Sequence, residues 1–308
     1  MKRPFIIDCD TGTDDAIAIC AAMGCEEVEI VGITSVNGNV AEKYTSTNNL
    51  NLVEYLDKDI PVCHGAVFPI AETCIHSASS THGATGLGNV ILPQATKKEF
   101  EKQISSRFIY ESALQYKGEL ELLVVGPMTN IALAIVQYPE LVSLIKHIYF
   151  MGGAVWGGNC STTAEFNIWE DPEAAHVVFT SGIPLTMVGL DVTLKATMQR
   201  EDVIALRANN TKASNFCADI LDFMFDRCEK GGEDTVMHDA LAFAAAIIPD
   251  CMKYQDYFMD VECRGDFTRG HTYADIYNRS GKKPNVRAAL EVDVPTFRKW
   301  LVEQINKA

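Results

Sequence analysis

Residues 5–19 read FIIDCDTGTDDAIAI, and this stretch sets the pattern for the rest of the chain. Phe5–Ile7 is a short apolar run that ends at Asp8, which is typical of a buried strand. Gly12 then permits a tight turn, and the apolar run Ala16–Met23 favours a helix. Two aspartates just before that run would complement the positive end of the helix dipole. The stretch therefore predicts a strand, a tight turn and a helix in quick succession.

The same alternation continues along the chain. The further predicted strands are Val28–Val36, Pro61–His64, Leu120–Val125, His147–Met151 and Leu185–Val188. The further predicted helices are Glu42–Leu56, Lys98–Lys117, Asn130–Tyr138, Pro172–Thr180, residues 212–228 and Asp239–Ile247. Strands that alternate with helices predict β-α-β units, and hence an α/β fold with a mostly parallel sheet and helices on both faces. Because no break or repeat interrupts the pattern, we expect a single domain over residues 1–308.

Composition excludes several classes of protein. The formal charge is −15, and no block of Lys or Arg forms the basic face of a general nucleic-acid binder. No apolar segment is long enough to span a membrane, and the N-terminus does not resemble a signal peptide. The ten cysteines form no C-x-x-C pair, and several sit in apolar runs. This usage argues against a cysteine-based zinc site and predicts a reducing, cytoplasmic location.

One long segment lacks periodicity. Residues 65–96 are rich in Gly, Ser, Thr and Pro, and they include THGATGLGN at 81–89. An irregular run of this length inside a compact domain is usually a functional loop or a lid. It is not a dinucleotide-binding fingerprint, because G-x-G-x-x-G is absent.

Oxygen-bearing side chains follow the predicted strands or begin the late helix. In an open α/β sheet, ligands bind at the carboxyl ends of the strands. The polar residues expected there are Asp8, Asp10, Asp14, Asp15, Asn37, Asn39, Asn159, Glu165, Asn167, His238 and Asp239. Four carboxylates within eight residues repel one another unless they reach water, take up protons or share a cation. Oxygen ligands suit Ca²⁺ or Mg²⁺, although Asp14 and Asp15 taken alone would be ordinary residues of a helix start.

Two other motifs compete for the stretch DCDTGTDD. An EF-hand loop starting at Asp8 would need Gly and an acid where the chain has Thr13 and Ile19, so that interpretation fails. The D-x-D-x-T/V motif of haloacid dehalogenase-type phosphatases fits Asp8 and Asp10, but its fifth position is Gly12. A Mg²⁺-dependent phosphatase is therefore the best alternative on local grounds.

A series of motifs gives the chain a specific resemblance. FIIDCDTGTDDAIAI is followed in order by VNGN at 36–39, THGATGLG at 81–88, GPMTNIALA at 126–134, MGGAVWGGN at 151–159, TAEFNIWEDPEAA at 163–175, MVGLDVT at 187–193 and MHDALA at 237–242. Together they resemble the inosine/uridine-preferring nucleoside hydrolases. The resemblance covers at least residues 5–242 and implies a Rossmann-like open sheet. Many motifs in the right order make a much stronger signal than any one of them.

The resemblance implies roles for individual residues. The implied Ca²⁺ ligands are Asp10, Asp15, the backbone carbonyl of Val125 and Asp239. The positions implied to contact the ribose are Asp14, Asn39, Met151, Asn159, Glu165, Phe166 and Asn167. Asp10 matches the residue that deprotonates the attacking water, and His238 matches a proposed proton donor to the leaving base. His82 matches a histidine of one branch of the family and is expected either to contact the base or to brace its loop.

The implied activity is hydrolysis of the N-glycosidic bond of ribonucleosides for salvage, by a homo-oligomer, either a dimer or a tetramer. A protein that binds nucleosides or Ca²⁺ without turnover is a further alternative. Base preference stays open, because some purine-accepting members have tyrosines where this chain reads LDFMFDRCEKGGEDTV at 221–236. Arg227, in this segment, is a candidate contact to a base carbonyl.

Overall fold

The structure, a computed structural model, describes residues 2–73 and 77–308. Its strands are β1 Arg3–Cys9, β2 Val28–Ser35, β3 Val62–Cys63, β4 Leu120–Val124, β5 Ile145–Met151, β6 Leu185–Val188, β7 Met252–Tyr257, β8 Met259–Val261, β9 Thr272–Ala274 and β10 Val286–Val292. Its α-helices are α1 Thr13–Gly24, α2 Glu42–Tyr55, α3 Ser79–His82, α4 Ser105–Tyr116, α5 Thr129–Gln137, α6 Phe166–Glu170, α7 Pro172–Phe179, α8 Leu190–Thr193, α9 Arg200–Asn209, α10 Lys212–Gly231, α11 Asp239–Ile247 and α12 Val294–Ile305.

Eight strands form one sheet in the order β3-β2-β1-β4-β5-β6-β10-β7. All neighbours pair in parallel except β7, which runs antiparallel to β10 at the edge. The first six strands have the 3-2-1-4-5-6 order of a doubly wound sheet. The strand order reverses between β1 and β4, and ligands bind in the crevice at such a switch point. The predicted α/β, Rossmann-like fold is confirmed.

Helices cover both faces of this sheet. One apolar core contains buried side chains of α1, α10, α11 and α12, and the other contains those of α4, α5 and α7. Along α10, Phe216, Ile220 and Met224 face the first core, as their helical spacing predicts. The sheet thus separates two cores, and its carboxyl edge is left for the loops that carry polar side chains.

Helix α1 is buried along almost its whole length; only Met23 is partly exposed. A helix that is apolar all round belongs inside a protein. It packs against α11, whose sequence DALAFAAAI offers mostly small side chains. Small side chains let two helix backbones approach closely. The packing thereby brings together the first turns of α1 and α11, which carry the acidic residues.

The predicted pattern was wrong or incomplete at several places. The helix predicted over Lys98–Lys117 begins only at Ser105, because Glu54 accepts hydrogen bonds from the backbone amides of residues 96–98 and holds that segment in a turn. Helices α6 and α9 were not predicted. Strand β10 was also missed, because exposed charged residues interrupt its apolar pattern.

The nine cysteines within the described residues are all free thiols, whereas Cys74 lies outside the described residues. Over residues 2–73 and 77–308, no helix has both the length and the apolar character that a membrane crossing requires.

Candidate active site

Asp10 follows β1 at the switch point, and its carboxylate is held between two glycine-containing loops. A Cβ atom on Gly38 would overlap Asp10 Oδ2, and one on Gly126 would lie 2.9 Å from Asp10 Oδ1. The backbone amide of Asn39 donates to Asp10 Oδ2 at 2.7 Å. Asp10 Oδ1 is buried and has no hydrogen-bond partner among the described residues. One oxygen of Asp10 is therefore fixed by the protein, and the other is left available to a ligand.

Asp15 is arranged in the same way. The backbone amide of Gly12 donates to Asp15 Oδ2 at 2.8 Å, which closes the first turn of α1. The side-chain amide of Asn39 donates to the same oxygen at 3.1 Å. Asp15 Oδ1 is buried and lacks a partner within the described part of the chain. Asn39 thus connects Asp10 to Asp15, and the remaining Oδ1 of Asn39 is an acceptor beside both carboxylates.

Asp239 joins this cluster from a distant part of the sequence. Oxygen atoms of Asp14, Asp15 and Asp239 all lie within 4.8 Å of one another. Each of these aspartates lies in the first turn of its helix, where the helix dipole favours negative charge. Asp10 lies outside this closest trio, although its charge still raises the pKa of Asp239. The four carboxylates therefore share one electrostatic environment.

Burial and mutual repulsion raise the pKa values of these acids. Burial raises the pKa of Asp10 well above its ordinary range, and the charge of Asp15 adds to the effect. The pKa of Asp15 is raised to about 7 by burial and by Asp14, and that of Asp239 is raised by burial and by the neighbouring aspartates. A shared cation would stabilise all the ionised forms at once.

The backbone carbonyl of Val125 follows β4, on the other side of the switch point. The side-chain amide of Asn167 donates to Val125 O at 3.0 Å and to Met151 O at 3.1 Å. One side chain thus links the ends of β4 and β5. A carbonyl oxygen has two lone pairs, so Val125 O can still bind a cation. Asn167 Oδ1 remains as an acceptor at the same edge of the sheet.

Glu165 connects two loops beside β5. Its Oε2 accepts from the backbone amides of Gly153 at 2.9 Å and Ile168 at 3.2 Å, and so it caps α6. Burial raises the pKa of this carboxyl to about 7 despite these hydrogen bonds. Asn159 Oδ1 accepts from the backbone amide of Phe166 at 3.0 Å. Asn159 is exposed and Phe166 is partly buried, so this pair lies nearer the solvent than the carboxylate cluster.

His82 belongs to the irregular segment and contacts the start of α1. Its Nδ1 accepts from the backbone amide of Thr13 at 3.1 Å, which assigns the ring proton to Nε2. The same nitrogen lies 3.9 Å from Asp14 Oδ1. Burial lowers the pKa of His82 to about 4. His82 therefore braces its loop against α1 as a neutral ring and leaves Nε2–H available as a donor.

His238 directly precedes α11. Its Nδ1 is buried and has no hydrogen-bond partner in the described ranges. Burial lowers the pKa of His238, the charge of Arg227 lowers it further, and the charge of Asp14 opposes both effects. His82, His238, Arg227 and Asp14 therefore lie close enough for their charges to interact.

Asp8 has a structural environment that its sequence position did not reveal. Its Oδ1 accepts from Thr34 Oγ1 at 2.5 Å and from Asn130 Nδ2 at 2.8 Å. Asn130 also donates to Ser35 O and accepts from the amide of Ala66, so the network ties three loops together. Asp8 is as fully buried as Asp10, but its Oδ1 is committed to two hydrogen bonds that hold these loops together. The structure therefore does not favour the phosphatase alternative, which needs Asp8 as its nucleophile. The sequence signals for Asn130 were its place in the motif GPMTNIALA and at the start of a predicted helix.

A doubly wound sheet with buried carboxylates, asparagines and two histidines at its switch point is typical of an α/β enzyme whose site is suited to a divalent cation. The sequence of residues 5–299 matches the family described as inosine-uridine preferring nucleoside hydrolase. The chain belongs to this family and is an N-glycosyl hydrolase of ribonucleosides.

Known relatives match over nearly the whole length. The chain is 38% identical to the pyrimidine-specific ribonucleoside hydrolase RihA of Escherichia coli O7:K1, covering 99% of each chain. Among solved structures, it is similar to a purine-preferring ribonucleoside hydrolase from Gardnerella vaginalis, with a TM-score of 0.93, 34% identity and 98% coverage of both chains. It is also similar to a plant nucleoside hydrolase, with a TM-score of 0.93, 28% identity and 99% coverage of both. The first of these relatives is pyrimidine-specific and the second is purine-preferring. These similarities therefore do not assign a base preference to the chain.

Proposed function

We propose that the protein hydrolyses ribonucleosides with a bound Ca²⁺ ion. The observation that carries the proposal is the pair of buried oxygens, Asp10 Oδ1 and Asp15 Oδ1, that have no hydrogen-bond partner in the described residues. Asp15 also lies within 4.8 Å of Asp14 and Asp239, measured between ligand oxygens. Carboxylates and a backbone carbonyl are hard oxygen ligands, and Ca²⁺ accepts six to eight of them in flexible geometry. Asp10, Asp15, Asp239 and Val125 O would hold the ion. When bound, it would orient the sugar diol and the attacking water and make that water more acidic.

Asp10 is the general base in this proposal. Its Oδ2 is fixed by the amide of Asn39, so its Oδ1 has a defined direction toward the ligand. A base must be held within hydrogen-bond distance of the proton that it removes. As water attacks C1′, its proton passes to Asp10, and the C1′–N electron pair leaves with the base.

The ribose is held by the residues around the cluster. Asp14, Asn39 and Asn167 are proposed to accept hydrogen bonds from sugar hydroxyls through their carboxylate or amide oxygens. Glu165, Asn159, Met151 and Phe166 complete the outer part of the sugar site in this proposal. Oxygen atoms arranged in advance around the sugar favour a transition state in which C1′ becomes positively charged.

His238 and His82 are assigned to the base side. A group with a lowered pKa gives up its proton more readily once it has been protonated, and burial lowers the pKa of His238. His238 is therefore proposed to protonate the departing base. His82 is braced by Thr13 through Nδ1, and its Nε2–H is proposed to donate a hydrogen bond to the base.

We expect the purified protein to release ribose from uridine, cytidine, inosine or adenosine in the presence of Ca²⁺. A chelator should lower the rate by about 100-fold or more, because such an ion supplies several kcal/mol of transition-state stabilisation. A reducing-sugar assay measures the product, and Ca²⁺ or Mg²⁺ added back identifies the ion. Nucleoside binding without ribose release would contradict turnover, and activity that resists chelation would contradict the metal site.

Gly38→Ala tests the positioning of Asp10. Since the new Cβ would overlap Asp10 Oδ2, the carboxylate must move, and a displacement of about 1 Å can cost about 100-fold in rate. We expect a loss of kcat of this order together with weaker Ca²⁺ binding, measured by calorimetry. Gly231→Ala is the matched control, because its Cβ would meet only Glu233 at ordinary contact distance. Equal kinetics in both variants would show that Asp10 needs no such close support.

We further propose that residues 1–308 form one domain, which assembles as a homo-oligomer in the cytoplasm. Both helical layers pack on the same sheet, and the free thiols of the described cysteines suit a reducing compartment. Val67, Phe68 and Ile70 remain 44 to 47% exposed on one segment, which a second copy would cover. Sedimentation velocity at micromolar concentration tests the assembly, and a purely monomeric protein would contradict it.

A further inference from the structure

The motif MVGLDVT at 187–193 supplies no residue to the proposed cation and sugar sites, yet it runs from β6 into α8 directly beside the end of β5. The segment that follows β5, residues 152–159, reads GGAVWGGN and is called the glycine loop. It ends at Asn159, and its φ angles of +68° at Gly153 and +80° at Gly157 favour glycine. Because glycine gives the backbone many accessible conformations, such a loop has to be held in place by its surroundings.

Both ends of the glycine loop are fixed by backbone hydrogen bonds. Near its start, the carbonyl of Gly153 accepts from the amide of Leu190, the first residue of α8, at 3.0 Å. At its end, the amide of Asn159 donates to the carbonyl of Ala164 at 3.1 Å. The residues in between, 154–158, therefore need a hold of their own.

Asp191 holds the middle of the glycine loop. Its Oδ2 accepts from the backbone amide of Val155 at 2.8 Å, and its Oδ1 accepts from that of Trp156 at 3.2 Å. Each oxygen of one carboxylate thus serves one of two consecutive amides, and hydrogen bonds to an ionised acceptor are about twice as strong as those between neutral groups. Trp156 is 65% exposed, so packing of its own side chain contributes little to holding the loop.

The support on which Asp191 is mounted is rigid. Asp191 lies in the first turn of α8 between Leu190 and Val192, which are both buried in the core. Gly189 lets α8 approach the glycine loop, since a Cβ on it would lie 2.5 Å from Gly153 O. An acid in a first turn often only complements the helix dipole, whereas both oxygens of Asp191 reach a different loop. Asp191 therefore ties the segment after β5 to the helix after β6.

The position of Asn159 depends on the glycine loop that it ends. Because Asn159 Oδ1 accepts from the amide of Phe166, its NH₂ group is the donor that can reach a sugar hydroxyl. In the proposed function, the cation holds the two ring hydroxyls of the ribose, and Asn159 belongs to the outer part of the sugar site. The hydroxyl that remains for this outer part is the 5′-hydroxyl. A binding side chain keeps such a contact only if its supports hold it to within about 0.5 Å.

We propose that Asp191 is a positioning residue, which holds the glycine loop in the conformation in which Asn159 binds the 5′-hydroxyl of a ribonucleoside. This inference rests on the proposed function. Asp191 touches neither the sugar nor the cation, and it takes no part in the making or breaking of bonds. It acts by restricting the loop before the substrate arrives, so that less conformational entropy is lost on binding.

The kinetic test compares Asp191→Ala with the unmodified protein, both with Ca²⁺, on uridine and inosine and on 5′-deoxyuridine and 5′-deoxyinosine. When two groups act through one contact, the effects of removing them are not additive. We expect Asp191→Ala to lower kcat/KM by about tenfold for the nucleosides and by less than about threefold for the 5′-deoxy analogues. Asp191→Asn keeps one acceptor oxygen and should show an intermediate loss. A merely structural role would lower the values for both kinds of substrate by the same factor.

Amide hydrogen exchange of the free protein, followed on peptides that cover residues 152–159, tests the tether without any substrate. The amides of Val155 and Trp156 should exchange faster in Asp191→Ala than in the unmodified protein, because they lose their acceptor. Asp293→Ala is the matched control, since Asp293 also uses both of its oxygens, toward Thr296 at the start of α12. It should change neither the exchange of the glycine loop nor the ratio of the two kcat/KM values.

Equal losses of Asp191→Ala on the nucleosides and on their 5′-deoxy analogues would overturn the inference, and so would unchanged exchange of the glycine loop. If melting curves show that Asp191→Ala folds poorly, Asp191→Asn decides both comparisons instead. Absence of ribose release from every nucleoside by the unmodified protein would reject the proposed function itself. The exchange measurement would still decide whether Asp191 holds the loop, so the two failures are distinguishable.

Discussion

Asp10→Asn is expected to lower kcat for ribose release by about 1,000- to 10,000-fold, the upper part of the range for loss of a general base. The amide oxygen of the new side chain can still accept the hydrogen bond that Asn39 donates. The group opposite, which replaces the unpartnered Oδ1, is then an NH₂ group that neither accepts a proton nor binds a cation. The loss should therefore persist at saturating nucleoside and should be only partly relieved by high Ca²⁺.

Initial rates of ribose release over a range of Ca²⁺ concentrations measure this effect, and calorimetry gives the change in ion affinity. Asp57→Asn is the control, because it makes the same chemical change on an exposed side chain that pairs with Lys212. If Asp10→Asn lost less than about tenfold in kcat at saturating ion, another group would have to be the base.

His238→Ala is expected to lower kcat for inosine by about 100- to 1,000-fold, because the base is a poor leaving group unless it is protonated. The same variant should retain most of its activity on p-nitrophenyl riboside, whose leaving group needs no acid. The buried Nδ1 of His238 has no hydrogen-bond partner in the described part of the chain, which supports a ring that meets its partner when substrate is bound.

The comparison of the two substrates separates acid catalysis from disturbance of the neighbouring Asp239, which would lower both rates together. His176→Ala, which removes a surface histidine paired with Asp260, should behave like the unmodified protein. Equal losses of His238→Ala on inosine and on p-nitrophenyl riboside would reject the acid role.

Strand β1 and helix α1 were predictable because residues that are neighbours in the sequence determine them. Alternating apolar runs and turn residues indicated β1, α1 and most later elements, and their alternation predicted a parallel sheet. Errors arose where tertiary contacts override local preference. The segment before α4 is held in a turn by Glu54 on a different helix, and no periodicity in residues 98–104 reports that contact.

The site residues divide in the same way. The acids of the opening turn were visible as a cluster because they lie within eight residues of one another. By contrast, the structural role of Asp8 depends on Thr34 and Asn130, which approach it only when β1 pairs with β2 and β4. An aspartate that braces loops and an aspartate that binds a ligand look the same in the sequence, so only their surroundings distinguish them.

The sequence by itself determined the class of fold, the family and the set of oxygen-bearing residues, because motifs and periodicities are written in consecutive positions. Only the tertiary structure decided that Asp239 meets Asp14 and Asp15, since the close approach of α1 and α11 depends on packing across more than 200 intervening residues. It also decided that the guanidinium of Arg227 has no carboxylate partner among residues 2–73 and 77–308. The direction of one side chain on a helix is fixed by what packs around that helix, and short-range sequence patterns carry no record of it.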